Sequence, residues 1–223
     1  MTPAGRGRPG PRRALTEDEI LDAALTLLDE GGAASIRGIA AKVGVAPNAV
    51  YTYFADKAAV DKALVERLLG ATDVGGFADR AKPWRDRIEA LALNLRERLI
   101  AHPGAAALLM SGPMDWPRTT ALNEELLDLL IGAGIEPADA ARATYLLIVY
   151  VLGSIALEVA DEPGPGRLPA EATRIANRRR VFDEIPTEVF PRSAAAAATM
   201  ASYISTEQYL WGLHRLLDGI ARR

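Results

Sequence analysis

The 223-residue chain contains no cysteine and only two histidines. That excludes disulfide scaffolds, thiolate catalysis, thiolate zinc sites and iron–sulfur clusters together. Little is left for a nitrogen-rich metal site, so no metal and no cofactor is expected. Sustained two-residue alternation of apolar and polar residues is also missing, so no sheet is predicted. Residues 1–13 are rich in Gly, Pro and Arg and have no apolar centre, which is not the pattern of a signal peptide. The longest apolar run, Tyr145 to Leu157, is interrupted by Gly153 and Ser154. It falls short of the roughly 20 apolar residues that span a bilayer. A buried core or interface helix is expected there, in a cytoplasmic protein without membrane contact. An excess of positive charge is lacking too: 26 Lys and Arg stand against 29 Asp and Glu, a net charge of −3. Nucleic-acid-binding domains are usually basic, so this balance has to be located along the chain.

What is present is an ordinary globular composition, 49% hydrophobic and 25% charged, in a chain long enough for one or two domains with a sizeable core. The pattern is all-α. Residues 1–13 carry Arg6, Arg8, Arg12 and Arg13 and no acid, and their Gly and Pro content opposes a packed helix. The first helix begins at Leu15-Thr16-Glu17-Asp18-Glu19-Ile20. Thr16 and Glu19 have the spacing of a capping box, and Leu15 and Ile20 that of a hydrophobic staple. Ile20, Leu21, Ala24, Leu25 and Leu28 follow with helical period, and Gly31-Gly32 ends the helix. A second short helix runs from the N-cap Ser35 to about Val43 and stops at Gly44. The third has Pro47 in its first turn, where a missing amide costs nothing. Asp56 is the expected N-cap of a fourth, with Val60, Leu64 and Leu68 inward. Further helices are predicted over 84–101, 104–111, 117–132, 137–160, 169–184 and 194–221, punctuated by prolines.

The corner at Gly44-Val45 has the spacing of a helix-turn-helix. Gly44 permits the reversal, Val45 fills the angle, and the next helix projects outward where it can enter the major groove. Tight helical corners occur in many all-α proteins, so hydrophobic pattern alone leaves the function of this one open. The residues narrow it. Leu25-Thr26-Leu27-Leu28-Asp29-Glu30-Gly31-Gly32, Ser35-Ile36-Arg37-Gly38-Ile39-Ala40, Val43-Gly44-Val45, Tyr51-Thr52-Tyr53-Phe54 and Asp56-Lys57 together resemble the tetracycline-repressor (TetR) family, without gaps from about Leu15 to Leu68.

The resemblance implies a dimeric all-α regulator in three parts: a flexible basic arm (1–13), a three-helix helix-turn-helix DNA-binding domain (14–70) and a helical ligand-binding and dimerisation domain (71–223). It places Arg37 against phosphate or a groove base, and Pro47, Asn48 and Ala49 at the base-facing start of the recognition helix. Tyr51 and Tyr53 fall at backbone contacts, and Lys57 at a phosphate. The chemistry agrees, since Arg and Lys neutralise phosphates, Tyr hydroxyls donate to them and Asn pairs with adenine. Ala46 departs from the family in offering no side-chain cap, a loss of up to about 1 kcal/mol. Val45, Val50 and Phe54 are expected in the core. The arm reads either as an idle tail or as a reach into the minor groove.

More weakly, Ala101-His102-Pro103-Gly104, Leu122-Asn123-Glu124-Glu125-Leu126, Leu152-Gly153-Ser154 with Glu158 and Asp161, and Tyr209-x-Trp211-Gly212-Leu213 look like the ligand domain of the tetracycline repressor itself. By that resemblance the helices near 137–160 and 194–221 form a homodimer, with Gly153 and Gly212 allowing close approach. The partners implied are a palindromic double-stranded DNA operator and a small-molecule effector that releases it by swinging helix four through residues 68–77. The helix after Pro103 has no His, which argues against a metal-chelated tetracycline. Candidate effector contacts are Trp84, His102, Met110, Met114, Trp116, Tyr150 and Phe182, for an apolar or aromatic molecule. Arg178 to Arg180 read as a solvated helix face. An activator on the same scaffold remains an alternative, and so does an all-α carrier or enzyme. The enzyme finds no support in a phosphate-binding loop, a paired-His face or a nucleophile elbow, and no catalytic residue is assigned.

The charge can then be located. Residues 1–70 carry nine basic and nine acidic residues, and the −3 belongs to the remainder. The early acids crowd into helix one, which leaves the arm, Arg37, Lys42 and Lys57 as the basic groups beside the motif.

Overall fold

A computed structural model of the chain describes residues 15–70, 77, 79–111, 117–162, 164 and 166–221, with the backbone alone for Met110 and Ser111. Its regular elements among the described residues are all helices. The first four are α1 (Glu17–Asp29), α2 (Ile36–Val43), α3 (Pro47–Tyr51) and α4 (Lys57–Gly70). Then come α5 (Trp84–Ala101), α6 (Pro103–Ser111), α7 (Pro117–Gly132) and α8 (Pro137–Ala160). The last four are α9 (Glu171–Asp183), α10 (Pro191–Ala195), α11 (Ala197–Ala201) and α12 (Thr206–Ile220). The basic arm and residues 71–76 lie outside the described residues.

The helix starts follow the local chemistry. Thr16 Oγ1 accepts from the Glu19 amide at 3.2 Å, while the Thr16 amide donates to the Glu19 carboxylate at 3.0 Å. Asp56 accepts from the Ala59 amide at 2.8 Å and starts α4. Glu136 takes the amides of Ala138 and Asp139, and Pro137 occupies the first position of α8.

The predicted helix over 194–221 is instead three pieces. The chain turns at Ala196 and again between Ser202 and Ser205. Hydroxyl side chains compete there with helical continuation. Ser202 Oγ donates back to the Thr199 carbonyl at 2.9 Å, and Ser205 Oγ accepts from the Gln208 amide at 3.0 Å, which begins α12. Glu171 of α9 accepts from both the amide and the hydroxyl of Thr206, so the new start is held from outside as well.

Two hydrophobic cores result. The smaller gathers Ile20, Ile39, Val50, Phe54, Val60, Leu64 and Leu68. The larger gathers Val65, Leu69, Leu91, Leu99, Leu130, Leu147, Ile155 and Leu213. α4 therefore supplies one stripe to each.

The larger half is also pinned by buried charge. Arg96 of α5 grips Glu158 of α8 through two bonds of 2.9 and 2.8 Å. Arg174 of α9 adds a third at 2.8 Å, and Arg96 also donates to Thr206 of α12 at 2.8 Å. Burial raises the pKa of Glu171 in the same cluster, but the Thr206 and Arg96 hydrogen bonds outweigh it and hold the carboxyl below its ordinary range. Breaking such a buried cluster strands a charge, so it ties these four helices together. Arg178 belongs to this block: it pairs with Asp161 and lies over the Phe182 ring at 5.2 Å, so of the three arginines expected on a solvated face only Arg179 and Arg180 are exposed.

The two halves meet where α1 ends. His102 Nδ1 lies 2.8 Å from the Asp29 carboxylate. A Cβ added at Gly104 would sit 2.3 Å from the backbone carbonyl of Leu28. Backbone cannot yield as a side-chain tip can, so Gly104→Ala is expected to cost about 2 kcal/mol through overpacking, measured by urea denaturation against the unchanged chain.

Candidate DNA-binding face and ligand cavity

The α2–α3 corner is built as its residues require. Gly44 takes the left-handed conformation with φ 73°, and the Val45 amide closes the end of α2 by donating to the Ala40 carbonyl at 2.9 Å. α3 begins with Pro47 and has no side-chain cap at Ala46. Its inner side is anchored by Val50, which is fully buried, and the chain just beyond it by Phe54. Pro47, Asn48, Tyr51 and Thr52 are exposed, and Ala49 is half-buried. Arg37 is exposed on α2. Lys57 stands at the first turn of α4, in an ion pair with Asp61 one turn on. The corner thus presents the amide and phenol of α3 and the guanidinium of α2 to solvent, while the inner side of α3 is locked in the core. That is the chemistry of a groove-facing helix flanked by phosphate contacts.

Tyr53 differs from Tyr51. Its hydroxyl donates to the Leu15 carbonyl just before α1. Its only proton is therefore used within the protein, and the ring ties the end of α3 to the entrance of α1. Tyr51 is about half exposed.

In the larger half, a cavity of about 80 Å³, or about 680 Å³ when all the empty space out to its open mouth is counted, lies between α4, α5, α6, α7 and α8. Leu69 closes it on the α4 side, Leu91 and Leu95 on α5, Leu122 and Leu126 on α7, and Leu147 and Val151 on α8. Thr119 and Asn123 of α7 are the polar residues among the described lining. A groove on the α7–α8 surface continues from it, past Tyr145, Val149 and Gly153.

None of the described candidate effector contacts lines this cavity. Tyr150 turns toward α12: its hydroxyl donates to the Tyr209 carbonyl at 2.7 Å, the two rings stack at 5.9 Å, and Gly212 makes room for it. The close approach expected of Gly212 is therefore made within one chain, while Gly153 has open space above it. Trp84 borders a surface groove at the far end of the bundle. Phe182 lies under Arg178, and His102 sits at the joint with α1. The Met110 side chain, Met114 and Trp116 lie outside the described residues. The lining leucines carry no signal beyond helical periodicity, which marks core and cavity alike. Leu122-Asn123 stands out only because an amide interrupts an apolar stripe.

The cavity and the corner are joined through α4. Its Leu69 lines the cavity, and its Glu66 carboxylate accepts from the Arg118 amide at 3.0 Å, at the start of α7. Neither contact is predicted by local sequence.

Comparison with known proteins agrees with this geometry. Residues 20–64 match the model of bacterial regulatory proteins of the tetR family, and residues 77–223 match the tetracyclin repressor-like C-terminal domain. An HTH-type transcriptional regulator of Saccharopolyspora erythraea is 32% identical over 166 residues, 72% of this chain and 70% of the relative. The class A tetracycline repressor protein from transposon 1721 of Escherichia coli is 25% identical over 211 residues, 94% of this chain and 92% of that protein. The crystal structure of Streptomyces coelicolor ActR, a TetR family protein in complex with (S)-DNPA, superimposes with a TM-score of 0.73 at 20% identity, over 93% of this chain and 98% of that one.

The two tyrosines should separate in a stability measurement. Tyr53→Phe removes an internal hydrogen bond and is expected to cost about 1 kcal/mol. Tyr51→Phe should stay within about 0.5 kcal/mol of the unchanged chain, both read by chemical denaturation.

Proposed function

The chain belongs to the tetR family of bacterial regulatory proteins, which are DNA-binding transcriptional regulators, and from that premise we propose that it is a dimeric repressor released from a palindromic operator by a small apolar effector. The observation that carries the reading is α4, whose one stripe packs in the helix-turn-helix core while the other, through Leu69, lines the cavity.

In this reading the DNA-binding unit spans residues 14–70 and the effector-binding and dimerisation unit residues 71–223. Asn48, with Pro47 and Ala49, meets base edges, while Arg37, Tyr51 and Lys57 meet phosphates. Tyr53 is a positioning residue that holds the corner against α1. The dimer forms through α8 and α12. α8 is long and apolar enough to cross a membrane by length and composition, yet only a third of its most apolar stretch is buried within one chain. Tyr145, Leu146, Val149 and Leu157 stand exposed on it, and Trp211 on α12. Glu158 on the same helix is buried in ion pairs, so a second copy of these helices fits the uncovered face better than lipid does. A cytoplasmic location follows from a DNA target.

Two-fold symmetry would hold the two α3 helices about one DNA turn apart, roughly 34–36 Å, matching two half-sites. An effector that favours a different spacing releases the operator, in proportion to its differential affinity for the two shapes. The Glu66–Arg118 bond and Leu69 are the route by which a change at α7 reaches α4.

Selection of bound sites from random DNA, repeated with a compound panel, tests this directly. A palindromic consensus and at least one releasing compound are expected; no specific site would contradict the reading. On that operator, Lys57→Ala should weaken binding to all sequences alike, whereas Asn48→Ala should relax preference at one position by about ten-fold. Glu66→Ala should keep operator and effector binding but raise the effector concentration needed for release.

A further inference from the structure

The cavity carries more information than its volume. Among the described residues its walls are aliphatic, without a charged or aromatic side chain, and its polarity is confined to α7. Thr119 and Asn123 are one helical turn apart and so lie on one side of α7. Both also border the outer α7–α8 groove, together with Leu109, Ile148 and Leu152. The polar pair therefore stands at the mouth, where the enclosed aliphatic space opens to the groove. Deeper in, Leu91, Leu95, Leu126 and Val151 present only hydrocarbon.

These facts constrain the chemistry of an occupant. A charged group placed inside would lose its hydration and find no ionic partner in the described lining, a heavy penalty. An apolar body gains by filling the interior in proportion to the area it removes from water. The cavity itself exposes almost no polar surface, so a polar group on an occupant can meet protein only at the mouth, where Asn123 also borders the outer groove and where a carboxamide can supply two N–H donors and a carbonyl acceptor.

We propose that the cavity takes an uncharged aliphatic or alicyclic molecule with a single hydroxyl or carbonyl group, its hydrocarbon buried among the leucines and its oxygen at Asn123, which is the specificity-determining residue. A carboxylate or ammonium of the same skeleton is rejected by the walls. A molecule lacking the oxygen forgoes that hydrogen bond at the mouth. The proposal rests on the cavity being the effector site, but ligand class can be measured apart from any effect on DNA.

The test is calorimetric titration of the free full-length protein at neutral pH with two matched pairs, 1-decanol with decanoate and 1-adamantanol with adamantane-1-carboxylate. At least one alcohol should bind, and its carboxylate should bind at least about ten-fold more weakly. Asn123→Leu, which keeps the wall apolar and of similar size, should weaken that alcohol about ten-fold. The comparison of alcohol with carboxylate needs no variant, so it stands even if the substituted chain folds poorly. Binding of neither alcohol overturns the proposal, as does a carboxylate that matches its alcohol or a folded Asn123→Leu chain with unchanged affinity. An alcohol that binds as expected but fails to release the operator supports the ligand class and contradicts its role as effector.

Discussion

α4 belongs to two cores at once, and most of what the molecule can do depends on that. Val60, Leu64 and Leu68 fall one turn apart and belong to the smaller core, where α4 packs on α1; Val65 and Leu69, rotated by one residue, belong to the larger core, where α4 packs on α6 and α7. A helix buried along two stripes cannot shift against one set of neighbours without disturbing the other, because interiors are close-packed. α6 does something similar on a smaller scale, with Ala105 in the first core and Ala106 in the second. The helix-turn-helix and the cavity are mechanically continuous through these two helices.

The rest of the larger half is arranged so that movement is directed. The Arg96–Glu158–Arg174 cluster and the Thr206 cap bind α5, α8, α9 and α12 together. Their buried charges lose their partners if the helices separate, so this block resists deformation. α7 contributes no residue to that cluster. It packs on α8 of that block and on α4, and the Glu66 carboxylate holds its first turn to α4. α7 therefore lies between the charge-pinned block and α4, in contact with both.

The all-α architecture, the starts of α1, α2 and α4 and the corner at Gly44 were legible because they follow from neighbours in sequence: a capping box, N-cap side chains, a left-handed glycine and a helical stripe. The broken end of the chain was not. Ala194 to Ala198 reads as the opening of one helix but is already broken at Ala196, and the second break, before α12, is a competition between Ser202, Ser205 and backbone groups, settled by Glu171, which lies far away in sequence. The exposed corner residues were likewise readable from the motif, but the fate of Tyr53 depended on where Leu15 comes to lie. The cavity was the least legible part. Its leucines look like any core stripe, whereas the described aromatic candidates, Trp84, Tyr150 and Phe182, are used for packing or lie elsewhere. Net acidity misleads for a related reason: the acids of α1 are partly matched by Arg67 and Lys42, and residues 31–55 contain no Asp or Glu.

If the chain dimerises as proposed and occupancy of the cavity sets the separation of the two α3 helices, that distance is the quantity to measure. The natural absence of cysteine allows Asn48→Cys to carry a single spin label in each protomer, and pulsed electron paramagnetic resonance then reads the distance between them. Ala92→Phe, added to the labelled chain, fills the cavity from α5 without any ligand. The account predicts that the distance distribution moves by several ångströms, by about the misfit needed to leave two successive major grooves. Superimposable distributions, in a cavity-filled protein that remains a folded dimer, would contradict it.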